Sequence, residues 1–412
     1  MLSGLETDSE DELPPSWEER VNLDGKVYYA NHETKCTQWK HPVTGKRKAV
    51  SGELPFGWER CMGEDGTVFF VDHINQKTTY TDPRLAFAED MKTSALDFHQ
   101  KFDAGSTALQ VLHGRDLTGR YVIVTGANSG IGYETARSIA LHGATVVMAC
   151  RNLQSAHACQ AAILKEQSKA KVEVIHLDLA RLKSVREFAE AYKRTGWPLH
   201  ILILNAAVFG IPWEMTEDGL EMTFQVNHLA HFYLVHLLQE QLISSAPARI
   251  VVVSSESHSL FSPDFQDWTK ETVSLDTLSP PAHKYSDLRA YNDSKLCNVL
   301  FAWSLDDKLR GQGVRSFSLH PGNMMSTSLS RHWWLYRLLF ALVRPFTKSM
   351  QQGAATTVYC AVSQALDGVG GLYFNNCCCC EPSASSLDAE LASALWKFSN
   401  KLLQEKINDD EW

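Results

Sequence analysis

Tyr291 and Lys295 lie four residues apart in AYNDSKLCNVLFA, a stretch whose apolar spacing is helical, so the two side chains share one helix face. A free phenol titrates at about 10 and moves protons poorly at neutral pH. An ammonium beside it favours the phenolate and makes the group a usable proton donor and acceptor. A second pattern, TGANSGIG, runs from Thr125 through Gly126, Ala127, Asn128, Ser129, Gly130 and Ile131 to Gly132. It follows an apolar run and opens an amphipathic segment, so its glycines sit where a backbone approaches a pyrophosphate at a helix N-terminus. A third, ACRN, stands about 20 residues beyond that turn, where a carboxylate would hold ribose hydroxyls and repel a 2′-phosphate. It carries Arg151 and no carboxylate. A guanidinium there meets a 2′-phosphate in charge-assisted hydrogen bonds, and the expected cofactor is NADP(H) rather than NAD(H). The positive nicotinamide of such a cofactor would add to the effect of Lys295 on the phenol, and Lys295 can also hold its ribose.

These groups need a scaffold, and the rest of the chain describes one. Apolar strand-like runs at 121–125, 145–150, 172–176, 201–205, 249–254 and 315–319 alternate with helical patterns. Near-continuous Val/Ile/Leu strands separated by helices imply a parallel sheet covered on both faces, a doubly wound α/β fold with its ligand site at the C-terminal ends of the strands. The 412 residues exceed one such domain. The excess is a repeat: LPPSWEER…GKVYYANHETKCTQWKHP at 13–42 is echoed by LPFGWER…GTVFFVDHINQKTTYTDP at 54–83. Each copy has an opening Trp, a Gly-containing turn, an aromatic run, a second turn and a closing Pro, which reads as three short antiparallel strands.

The repeats resemble WW domains, and the first copy carries Trp17, the aromatic pair, Asn31-His32, Trp39 and Pro42 at that family's spacing. The resemblance implies binding of proline-rich peptides, whose extended rigid backbone costs little to order. It makes Tyr28 and Trp39 the groove and His32 the pocket for a ligand tyrosine, so the expected partners carry Pro-Pro-x-Tyr. Tyr29 and Trp17 are expected only to hold the sheet. In the second copy Tyr80, Phe69 and Asp72 replace the groove Trp, the groove Tyr and the Asn. That copy is expected mainly to steady the first.

The large domain resembles the short-chain dehydrogenases/reductases, which implies a Rossmann arrangement and a set of roles. By the family pattern Ser255, ending RIVVVSS, hydrogen-bonds the substrate oxygen and aligns it with Tyr291. Asn227 in FQVNHLAHFYL supports Lys295 through water. Pro321 and Gly322 of HPGNM flank the nicotinamide, Asp178 contacts the adenine, and Asn205 marks a strand end where NAA replaces the usual NNAG. About 36 residues separate Ser255 from Tyr291, and the insertion at 261–288 is expected to cover the substrate pocket. That spacing, with ACRN, TFQVNHLAHF and YNDSKLCNVLF, resembles the retinol-dehydrogenase branch and implies a lipophilic alcohol or carbonyl substrate of the steroid or retinoid class.

Other observations bound the reading. A formal charge of −9 argues against direct nucleic-acid binding. The start MLSGLETDSEDEL lacks the marks of a secretory or mitochondrial leader, and a cytoplasmic location is expected. Lys46, Arg47 and Lys48 would serve nuclear import or merely solvate a linker. The apolar stretch at 333–346 is broken by Arg337 and Arg344 and allows at most peripheral membrane contact. Ten cysteines spread over this length read as reduced thiols, and the run 377–380 lacks the spacing of a metal site, so no metal is expected. The expected organisation is a first WW domain at 11–44, a basic linker at 45–51, a second WW domain at 52–86, a connecting segment at 87–115, the dehydrogenase domain at 116–376 and a tail at 377–412. Two functions fit this plan: an NADP(H)-dependent oxidoreductase brought to its partners by the first WW domain, or a signalling adaptor whose large domain senses cofactor or sets localisation.

Overall fold

The computed structural model describes residues 12–22, 24–50, 52–91, 100–259, 269–271, 273–322 and 348–407. It divides into two units, residues 1–98 with 113–117, and 99–112 with 118–412. In the first unit β1 (Trp17–Val21), β2 (Val27–Asn31) and β3 (Cys36–Gln38) form one antiparallel sheet. Alternation along β2 turns Tyr29 inward, fully buried, against the ring of His41 at 5.1 Å. Tyr28, its neighbour, falls on the other face. β5 (Trp58–Met62), β6 (Val68–Asp72) and β7 (Lys77–Thr79) repeat the arrangement, with Phe70 in the buried place.

The stretch 45–51 departs from the linker expected of it. β4 (Lys48–Ala49) pairs antiparallel with β8 (Glu89–Asp90), which lies in the expected connecting segment. Lys46 Nζ stands 2.9 Å from Asp90, the Met91 N–H donates to the Arg47 carbonyl at 2.7 Å, and the Val50 N–H donates to Gly25 in the β1–β2 turn at 2.9 Å. Opposite charges and main-chain pairing hold the basic run in place. Two-residue strands show no period in a sequence.

In the second unit α1 (Ala108–Leu112) is tied by its Leu109 N–H to Gln351 at 3.1 Å. The sheet then grows in the order β11-β10-β9-β12-β13-β14-β15-β16, from β9 (Tyr121–Thr125), β10 (Thr145–Cys150), β11 (Lys171–His176), β12 (Ile201–Leu204), β13 (Ala248–Val253), β14 (Val314–His320), β15 (Leu372–Asn375) and β16 (Cys378–Cys380). All pairings are parallel except that of β16. All six residues of β10 are buried, which is why its sequence reads as uninterrupted apolar. The covering helices are α2 (Gly130–Ala140), α3 (Leu153–Glu166), α4 (Leu182–Arg194), α5 (Met222–Phe224), α6 (Ala230–Ser244), α7 (Leu275–Leu278), α8 (Asp287–Leu309), α9 (Met350–Val362) and α10 (Ala389–Lys406). Chain order reverses between β9 and β12, and an open α/β sheet binds its ligand in the crevice at such a point.

The end of the chain holds the helix expected in the tail, and it is docked. Asn376 and Cys377, both with positive φ (54° and 60°), make a two-residue turn into β16, and α10 docks on the core through Leu391, Leu395, Leu402 and Leu403. Each such side chain contributes about 1.5–3 kcal/mol on burial, so this helix is part of the domain. The apolar stretch 333–346, and residues 261–268 of the insertion, lie outside the described residues.

Candidate active site

The glycine turn sits where β9 ends. Gly126 and Gly130 have φ of 66° and 59°, and a Cβ on Gly132 would collide with the Gly126 carbonyl and the Asn205 side-chain amide. Ser129 caps α2 without a side-chain bond to it, so the first amides of an eleven-residue helix are left for a ligand. Thr125 and Asn205 lock the two strand ends together. Thr125 Oγ1 accepts the N–H groups of Asn205 (2.9 Å) and Ala206 (3.0 Å), while Asn205 Nδ2 donates to the Thr125 carbonyl at 2.9 Å. The NAA variant thus keeps its asparagine at work. Arg151 follows β10, exposed to solvent, and Asn152 beside it caps α3. Asp178 accepts the Ala180 N–H at 3.1 Å and closes its own turn. Pro321 and Gly322 follow β14, where Gly322, at φ 97°, leaves room for the Lys348 side chain. A backbone cradle with no space for side chains and a row of free helix amides fit the pyrophosphate of a dinucleotide.

Across the crevice, Ser286 caps α8 and fixes its first turn, and Tyr291 opens the next. Lys295 Nζ lies 5.4 Å from the centre of the Tyr291 ring and donates to the Val253 carbonyl at 3.0 Å. Ser254 Oγ donates to the Lys295 carbonyl at 2.7 Å, so the end of β13 is bolted to α8 and Ser255 is delivered beside Tyr291. Burial shifts both titrating groups toward neutrality. The Tyr291 phenol is pushed up to about 12, against the pull of the Ser255 hydroxyl, and Lys295 is pulled down to about 7. Positive charge placed beside the phenol would draw its proton off.

Asn227 is fully buried in a π turn, Gln225–Leu229, at the start of α6. Its Oδ1 accepts the Val208 N–H at 2.8 Å and its Nδ2 donates to the Val208 carbonyl and to Ser294 Oγ, each at 3.0 Å. The asparagine reaches α8 through Ser294. Phe209 meets the Tyr291 ring edge to face at 4.7 Å and makes one wall of the crevice apolar. The described part of the insertion leans on this wall's segment. Tyr285 Oη donates to the Ile211 carbonyl at 3.0 Å, and Trp213 Nε1 to the Pro280 carbonyl at 2.9 Å.

Sequence reasoning passed over three histidines. His231 is buried and tied to Thr125 Oγ1 at 3.0 Å and to the Asn227 carbonyl at 3.3 Å. His258 and His320 bracket Ser255. The signal for His231 was its place, four residues after Asn227 on one helix face, but a histidine in an apolar helix reads equally as core.

In the first small sheet Tyr28 and Trp39 stand edge to face at 6.1 Å, with Trp39 48 % exposed, and line a shallow groove with Asn22, Thr37 and Gln38. His32, also exposed, is held by Glu18 at 2.8 Å. Among the described residues no cluster of three His, Cys, Asp or Glu suits a metal ion, and no helix is long and apolar enough to cross a membrane.

Comparisons with known proteins agree with this geometry. The family pattern described as short chain dehydrogenase matches residues 120–264, and the WW domain pattern matches residues 13–42. The WW domain-containing oxidoreductase of Pongo abelii is 59 % identical over 408 residues, 98 % of this chain and 97 % of that one. Human retinol dehydrogenase 12 is 40 % identical over 287 residues, 70 % of this chain and 87 % of that one. A crystal structure of an uncharacterised protein from Mycobacterium paratuberculosis superimposes with a TM-score of 0.55 at 31 % identity, covering 72 % of this chain and 97 % of that one. The short-chain dehydrogenases/reductases use nicotinamide cofactors, and WW domains bind proline-rich partners. The chain belongs to the WW domain-containing oxidoreductases, and its large domain is a short-chain dehydrogenase/reductase related to the retinol dehydrogenases.

Proposed function

We propose that the chain is an NADP(H)-dependent oxidoreductase of a lipophilic alcohol or carbonyl compound, of the steroid or retinoid class, brought to Pro-Pro-x-Tyr proteins by its first WW domain. The observation that carries the enzymatic half is the half-buried Tyr291 with the buried Lys295 beside Ser255, facing a glycine cradle across the crevice. A bound nicotinamide supplies or takes the hydride. The chain's own residues do the rest: Ser255 Oγ holds the substrate oxygen, Tyr291 Oη gives or takes its proton, and Lys295 favours the phenolate. Phe209 supports an apolar substrate. Arg151, exposed after β10 with no carboxylate beside it, supports NADP(H).

NADPH oxidation with steroid and retinoid carbonyl compounds tests this. Tyr291→Phe should lower the rate about 10²–10⁴-fold. Equal background rates in wild type and variant would sink the enzymatic reading and leave the adaptor. Arg151→Glu should raise the KM for NADPH about 10–10²-fold, the worth of one charged hydrogen bond, and leave NADH use intact. An unchanged cofactor preference would remove Arg151 from the assignment.

A further inference from the structure

The main-chain pairing of β13 ends at Ser254, whose N–H donates to the Leu319 carbonyl at 2.7 Å, so the ladder stops one residue short of Ser255. Two imidazoles take over. His258, 3 % exposed, donates from Nδ1 to the Ser255 carbonyl at 2.6 Å and accepts at Nε2 from the Ser383 N–H at 3.2 Å. One neutral tautomer satisfies both bonds, and burial holds His258 below its ordinary pKa, in the form this needs. The Tyr373 ring meets it at 5.1 Å and fixes its plane. His320, 6 % exposed, accepts at Nδ1 from the Glu256 N–H at 3.1 Å, leaving Nε2 toward the Glu256 carboxylate at 3.7 Å.

The Ser255 carbonyl and the Glu256 N–H belong to the same peptide unit. Both of its polar groups are therefore met by imidazole nitrogens that reach it from different elements, His258 from the following turn and His320 from the end of β14, and the carbonyl also accepts the His258 backbone N–H at 3.1 Å. We propose that His258 and His320 clamp the Ser255–Glu256 peptide and act as positioning residues that aim Ser255 Oγ at the oxygen held by Tyr291. The clamp deepens the dehydrogenase reading and rests on it for its catalytic consequence, though not for its existence. It also gives the end of the chain a part in the site. Ser383, from the strap between β16 and α10 and 125 residues beyond His258, is the far anchor of the His258 ring, so the aim of the serine depends on a distant segment. A serine placed about 1 Å off its mark costs about 10²-fold in rate.

The test uses the full chain and four variants. His258→Phe and His320→Leu keep bulk without polar atoms, whereas His258→Asn keeps a donor for the Ser255 carbonyl and His320→Asn an acceptor for the Glu256 N–H. The readouts are NADPH-dependent reduction of a retinoid carbonyl compound and hydrogen exchange of the Glu256 amide. The apolar variants should lose about 10²-fold in kcat with the KM for NADPH unchanged, and exchange Glu256 faster, while the Asn variants recover most of the rate. In an active enzyme, a kcat unmoved by both apolar variants, or Asn variants as damaged as the apolar ones, overturns the clamp. Should the wild type itself not turn over, the dehydrogenase reading fails and exchange alone decides. Faster exchange at Glu256 with unchanged exchange at Asn298, a buried residue in the middle of α8, then upholds the clamp, and unchanged exchange at Glu256, or equal acceleration at both, overturns it.

Discussion

In the first small sheet Tyr28 and Trp39 meet edge to face at 6.1 Å and 67°, and in the second Phe69 and Tyr80 do so at 6.5 Å and 64°. The likeness extends to the rim. His32 is held by Glu18 and His73 by Glu59, each at 2.8 Å. Asn31 closes the second turn of one copy by accepting the Glu33 and Thr34 N–H groups, each at 2.9 Å. Asp72 closes the same turn of the other by accepting those of Ile74 and Asn75, at 2.9 and 3.0 Å. The scaffold therefore sets the shape of the groove and the ring types set its chemistry. What the second copy lacks is the Trp39 indole N–H and the Tyr28 hydroxyl, and it carries the Tyr80 hydroxyl instead.

The largest effect expected from that contrast is on peptide binding. Trp39→Ala should raise the Kd of the full chain for a Pro-Pro-x-Tyr peptide about 30-fold or more, the loss of one interface hot spot. Tyr80→Ala, which removes a ring that is 75 % exposed, should leave the Kd where it was. Titration calorimetry reads both. Equal losses in the two variants would mean that the grooves work as one site and that their ring chemistry does not separate them.

The same contrast explains what could be read from the sequence. The parallel strands were legible because burial on both faces writes itself as a run of apolar residues, and β10 and β12 are buried at every position. Tyr291, Lys295 and the glycine turn were legible because their chemistry needs fixed local spacing. β4 and β8 were not, since two residues carry no period and their pairing spans 42 positions from Lys48 to Asp90. Asp72 read as a departure from the WW pattern, but it does the turn-closing work of Asn31. The substitution looked like damage because the motif records residue identity, whereas the turn requires only a side-chain acceptor. The histidines around Ser255 were hidden for a related reason. What makes His258 matter is the Ser383 amide, and no local pattern announces a partner that far along the chain.

Asp72 also offers the smallest and most selective break between the copies. Its carboxyl is held below the ordinary 3.8, chiefly by the Asn75 side-chain amide, then by the Asn75 and Ile74 backbone N–H groups, with Lys77 adding to the pull. A carboxylate whose folded pKa is depressed contributes stability above its unfolded value and loses it as pH falls through the folded one. Asn31 does not titrate. As pH falls below about 4, hydrogen-exchange protection of the Ile74 and Asn75 amides should therefore fall while that of Glu33 and Thr34 holds. Asp72→Asn should abolish the pH difference: an amide oxygen accepts the same two backbone N–H groups, while the Asn75 side-chain amide loses its acceptor at every pH. If the second turn loosens in acid just as much with asparagine in place, its pH sensitivity comes from another group, and the Asn31 and Asp72 turns differ in more than one ionisable atom.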